Sequence, residues 1–190
     1  MNRFAIQKPY KDPRVIAEET LIKSGTPRLP NGYGIDVEKI VREFCGFELM
    51  HIAGLELGGK PVLGIYAHTI NALLVEDDCP EARKRFTIAH ELGHAQLEYD
   101  FGNAVPMFDL PEMFGCIEED EKLGPADELK DGLRRKKEIR ANQFAAHLLM
   151  PEGLVREIWS LEHQNVDRTA SALCVSREAL GYRLRGLNLS

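Results

Sequence analysis

The sequence predicts an α+β fold: a small three-stranded antiparallel sheet packed on helices, followed by a C-terminal helical segment with helix-turn-helix-like spacing. Three observations lead there. Apolar residues recur at helical spacing over most of the 190 residues. Three short runs with strand composition cluster between Phe47 and Val75. One helical segment contains His90-Glu91-Leu92-Gly93-His94, two histidines one turn apart with a glutamate between them.

Asp12-Pro13 opens the first helix, since aspartate suits the N-cap and proline the first helical position. Ile16, Ala17, Thr20 and Leu21 form its apolar side, and Ser24-Gly25 stop it. A connector through Pro27, Pro30, Gly32 and Gly34 leads to Asp36. That residue caps a second helix with Val37, Ile40, Val41 and Phe44 on one stripe and Gly46 at its end. Phe47 to Ile52, Val62 to Ala67 and Ile70 to Val75 are the three strands, with Gly58-Gly59 turning the chain between the first two. Pro80 starts a third helix that runs to about Glu98.

The stretch from Tyr99 to Gly132 holds Pro106, Pro111, Pro125 and the acidic run Glu118-Glu119-Asp120-Glu121, and reads as irregular. Loops of this length in compact domains are usually functional or disordered. A fourth helix is expected from about Leu133 to Met150 and a fifth over Leu154 to Leu161. Two short helices follow, Asp167 to Leu173 and Arg177 to Leu184, the second capped by Ser176. Residues 1–150 are thus expected to form the main domain, with 100–132 inserted near its cleft. Residues 151–190 form a helical segment packed on the same core.

Composition narrows the function. The chain is 44% hydrophobic and 28% charged, as in an ordinary globular protein with enough residues for a core of its own. A net charge of -6 argues against a surface built mainly for nucleic acid. The N-terminal residues lack the apolar stretch of a signal peptide, and no apolar run reaches a membrane span. Cys45, Cys79, Cys116 and Cys174 are scattered with no C-x-x-C, as expected of reduced thiols in the cytoplasm.

The H-E-x-x-H box carries the chemistry. His90 and His94 on one helix face can hold one Zn²⁺, and Glu91 can act as base on a water at that ion. A catalytic zinc needs a third protein ligand and an open position. The metzincin continuation is absent, because Ala95-Gln96-Leu97-Glu98-Tyr99-Asp100 follow the box. Glu138 on the fourth helix is the preferred third ligand, with Asp100 as the alternative. Asn142, one turn after Glu138, can orient a ligand histidine. Gly93 inside a helix costs about 1 kcal/mol relative to alanine, so close approach of a strand or of substrate is expected there. Tyr66, His68, Tyr99 and His147 are candidate donors to an oxyanion.

These residues resemble a known family. Arg85-Phe86-Thr87-Ile88-Ala89 leading into the box, and Glu138-Ile139-Arg140-Ala141-Asn142-Gln143-Phe144-Ala145-Ala146-His147-Leu148-Leu149-Met150-Pro151, look like the signatures of ImmA/IrrE-type metallopeptidases. The C-terminal run Val175 to Leu184 is also similar. The resemblance implies a zincin-like, gluzincin-type core with His90, His94 and Glu138 on the metal and Glu91 as base. It further implies a protein substrate, typically a helix-turn-helix repressor encoded nearby, whose cleavage releases mobile-element or stress-response genes. The chain departs from the family in having Glu98 where a histidine is frequent, and in the long connection between its two motif helices.

Substrate is expected to add as a strand along Asn71, Ala72 and Leu73 if that strand is a sheet edge. The competing reading is a DNA-binding or repressor-binding regulator in which the zinc is structural. Arg168, Arg177, Arg183 and Arg185 would then face phosphates. The acidic balance makes direct DNA binding the weaker expectation.

Overall fold

The computed structural model describes residues 11–98, 107–109 and 125–189. Helix α1 (Pro13–Lys23) starts on Asp12, whose carboxylate accepts from the Arg14 amide at 2.9 Å. Asp36 likewise caps α2 (Val37–Lys39), accepting from the Lys39 amide at 3.0 Å, and the chain continues as a wider π-helical turn over Ile40–Phe44.

The strands are β1 (Glu48–Ile52), β2 (Glu56–Leu57), β3 (Lys60–Pro61), β4 (Gly64–Ala67), β5 (Ala72–Glu76) and β6 (Met107–Asp109). The main sheet has four strands in the order β1-β5-β4-β6 and is mixed, which corrects the three-stranded antiparallel expectation. β4 and β5 form an antiparallel pair across a short 3₁₀ turn that ends at Asn71 in the left-handed region, φ 53°. β1 is left to pair with the other edge of β5, and there it runs parallel, Glu48 opposite Ala72 and Ile52 opposite Glu76. The glycine turn belongs to a separate ladder of β2 and β3, where Gly58 and Gly59 both have positive φ as a tight hairpin requires.

Two pieces of the stretch expected to be irregular are regular. Residues 107–109 form β6 against β4, and α4 (Pro125–Leu149) begins well before Leu133. Helix α3 (Glu81–Glu98) packs chiefly on α4, and α1 packs on α4 as well. Helices α5 (Glu152–Leu161), α6 (Val166–Leu173) and α7 (Arg177–Gly186) follow, the last two capped by Asn165 and Ser176. Leu173, Leu180, Leu184 and Leu187 from this end lie in the same apolar cluster as Leu92, Phe144 and Leu148. Buried Arg85 joins distant parts of the chain, donating from Nη2 to the Ile35 carbonyl at 2.6 Å and from Nε to the Cys174 carbonyl at 3.2 Å. Among the described residues, no helix is long and apolar enough to cross a membrane.

Candidate metal centre

The centre rests on two helices brought unusually close. Ile88, Ala89, Leu92 and Ala95 bury α3, so the intervening polar positions are buried with them: His90 is 2% exposed, Glu91 0% and His94 1%. On α4, Ala141 and Ala145 are fully buried around Glu138, which is 8% exposed. Gly93 meets α4 rather than a strand or substrate. A Cβ there would stand 3.2 Å from the Ala141 Cα and 3.1 Å from the Phe144 ring. The missing side chain is what lets the helix backbones approach.

Across that contact, three ligand atoms converge. His90 Nε2 lies 3.2 Å from Glu138 Oε2 and 2.8 Å from His94 Nε2, and His94 Nε2 lies 3.5 Å from Glu138 Oε2. His90, His94 and Glu138 form a buried group that could hold a metal ion. Ligand atoms around a tetrahedral zinc at ordinary bond lengths stand about 3.3 Å apart. Both carboxylate separations fit this value, and the two imidazoles need open only by roughly half an ångström.

The other ring nitrogen of His90 is also held. Nδ1 donates to Asn142 Oδ1 at 2.8 Å, which leaves the Nε2 lone pair facing Glu138 and His94, the tautomer that a metal requires. Burial opposes ionisation of Glu138, but the two imidazoles against it, His90 and His94, outweigh burial and hold the carboxyl well below the ordinary carboxylate range. Two imidazole nitrogens and one carboxylate make a donor set suited to a borderline divalent cation.

Glu91 lies against the sheet. A Cβ on Gly64 of β4 would fall 2.6 Å from Glu91 Oε1 and 2.6 Å from Thr87 Cγ2, so only glycine leaves room for that carboxylate. The sequence reading passed over Gly64, although a glycine within a strand is a known sign of close approach. Tyr66, two residues along β4 and hence on the same face, packs edge-on against Phe47 and His68 with ring centroids 5.8 and 6.1 Å away. His68 is exposed in the 3₁₀ turn.

The remaining expected site residues fall elsewhere. Strand β5 is flanked by β1 and β4, so the edge on which Ala72 and Leu73 were expected to receive an extended substrate is already paired. Asn71 uses its side chain to donate to the Gly46 carbonyl at 3.0 Å and ends the turn. His147 faces Arg183 Nη1 at 3.4 Å, and burial together with Arg183 and Arg14 lowers its pKa to about 4. Three of the four arginines expected at phosphates are engaged within the chain. Arg177 pairs with Asp167 at 3.1 Å, Arg183 donates to the Met150 carbonyl at 2.9 Å, and Arg185 stacks on Tyr182 at 4.6 Å. Tyr99, Asp100 and Cys116 lie outside the described residues.

A family model for the IrrE N-terminal-like domain of M78 peptidases matches residues 45–104 and 114–185, which include both helices of the centre. No curated protein matches the chain.

Proposed function

Because the chain belongs to the IrrE N-terminal-like domain family of M78 peptidases, we propose that it is a zinc-dependent endopeptidase acting on a helix-turn-helix transcriptional repressor. The observation that carries this reading is the buried convergence of His90, His94 and Glu138 on the helix face next to Glu91. A zinc ion held by those three residues would lower the pKa of a water to about 7 and polarise the scissile carbonyl. Glu91 takes one proton from the attacking water as the new carbon–oxygen bond forms. It delivers that proton to the amide nitrogen as the carbon–nitrogen bond breaks, leaving a carboxylic acid and an amine. Asn142 keeps His90 in the metal-binding tautomer through the Nδ1 hydrogen bond. Tyr66, on the face of β4 that also holds Gly64, is the better placed of the named oxyanion donors.

In this reading residues 1–150 form the peptidase domain, residues 151–190 are its helical support, and the protein works in the cytoplasm, where its substrate binds DNA. The identity of the substrate as a repressor rests on the family resemblance alone. The test is co-expression with the helix-turn-helix regulator encoded nearest to the chain, comparing the natural sequence with Glu91→Gln and reading regulator fragments by intact mass. Fragments are expected only with the natural sequence, and Glu91→Gln should lower the cleavage rate by roughly 10²–10⁴-fold with zinc retained. Bound zinc without fragments from any candidate regulator would favour the binding-module reading.

A further inference from the structure

A second site lies behind the metal centre. A cavity of about 530 Å³ opens between the start of α3, the C-terminal end of α4 and the length of α7. None of His90, Glu91, His94 or Glu138 lines it, so it is separate from the proposed catalytic cleft. Its volume falls within the ~300–1,000 Å³ of small-molecule sites, too small for a folded partner or a duplex. Phe86, Ala146, Met150 and Val175 supply apolar wall. Two guanidinium groups reach it, Arg83 and Arg183, against a single carboxylate, Glu178. A third cation, Arg185, is held beside it over the Tyr182 ring.

The two lining arginines differ in how much they have left to give. Arg183 is anchored by the Met150 carbonyl and His147. Burial, then Arg183 and Arg14, keep that imidazole uncharged near neutral pH, so the positive charge at this wall is that of the Arg183 guanidinium. The Arg83 guanidinium makes no hydrogen bond or ion pair among the described residues. An apolar chamber with an unengaged guanidinium at its rim and a second one fixed in its wall is complementary to a molecule with one anionic end and one apolar end.

One wall residue also belongs to the metal centre. Asn142 lines the cavity and accepts from His90 Nδ1 at 2.8 Å. The Phe86 ring, also in the wall, stands 6.5 Å from the His90 imidazole. A ligand seated here thus touches the residues that set the orientation of His90.

We propose that this cavity binds a small amphipathic carboxylate, its apolar part against Phe86 and Met150 and its carboxylate on Arg83 and Arg183, and that binding is coupled through Asn142 to metal affinity at His90. Binding does not depend on the peptidase reading, since it is measured on the zinc-free full chain; only the coupling does. The probes are octanoate, octan-1-ol and octylammonium, followed by calorimetry. Octanoate should saturate one site and bind at least tenfold more tightly than the alcohol, with the ammonium weakest. Arg83→Glu, an exposed change that leaves the core intact, should lower octanoate affinity at least tenfold. Ala179 of α7 also lines the cavity, and Ala179→Phe, which fills the chamber, should abolish binding of both octanoate and the alcohol. Saturating octanoate should then change the zinc affinity of the natural sequence at least threefold in chelator competition, and zinc should change octanoate affinity by the same factor. Equal affinity for all three probes, or octanoate binding untouched by both substitutions, would overturn the site. Octanoate binding with unchanged zinc affinity would overturn the coupling.

Discussion

The α3–α4 pair and the α6–α7 pair both place polar side chains at helical spacing, and they treat those side chains in opposite ways. In the first pair two histidines and two glutamates are buried and three of them converge on one point. In the second, Arg177 and Asp167 form a surface ion pair with both side chains mostly exposed, while the buried positions, Thr169, Ala170, Leu173, Leu180 and Leu184, include no ionisable group. Burying ionisable groups is costly unless something compensates. A chain that does so at one place and not at another marks where its chemistry lies. The C-terminal helices have the spacing of a DNA-reading motif, yet three of their four arginines, Arg177, Arg183 and Arg185, are engaged by the chain's own acids, carbonyls and rings.

The contrast can be broken at graded cost. Gly64→Ala should push the Glu91 carboxylate away from β4 and cut peptide cleavage by about 100-fold, since an ångström of misplacement is worth that much. Zinc content, measured on the same sample, should not change; unchanged cleavage would mean that β4 does not confine Glu91. Asn142→Ala should weaken zinc binding by roughly 10- to 100-fold in a chelator competition, the usual cost of losing an outer partner of a ligand histidine. A smaller effect belongs to His147. Its folded pKa of about 4 lies below the ordinary 6.5, so the unfolded chain binds more protons between those values. Stability from this group is therefore full above pH 6.5 and is lost as pH falls through 4. The loss should be about 1 kcal/mol after discounting for a half-buried ring, and His147→Gln should flatten the melting curve in that window. Smallest of all, Arg177→Ala should change stability by under about 0.5 kcal/mol and leave no salt-sensitive DNA affinity to lose. A clear loss of duplex binding in that variant would reinstate the DNA-binding reading.

What could be read in the sequence was what is local. The spacing of His90 and His94, and of Glu138 and Asn142, is a property of one helix at a time, and the caps at Asp12, Asp36 and Ser176 follow from a few neighbouring residues. Pairings between distant segments left no comparable trace. Nothing in the alternation of residues 48–52 states that their partner is residues 72–76 or that the two run parallel, so the sheet was assigned the wrong sense and β5 the wrong position. β6 is only three residues long, set among prolines, and short strands carry little periodicity of their own. Gly93 stands out within its helix and Gly64 does not stand out within its strand, and the partners of both, Ala141 for Gly93 and Glu91 for Gly64, emerge only once sheet and helices are assembled.

Arg85 has a consequence for how this chain can be divided. Its guanidinium is satisfied by carbonyls from residue 35 on one side and residue 174 on the other, and it sits one turn and a half before the first metal-site histidine. Deleting the last forty residues, as a boundary at Met150 would suggest, removes one of those acceptors and uncovers a cation beneath the core. The tail is in this sense a lid screwed to the frame, and its removal would loosen the frame at the point where it carries the metal centre.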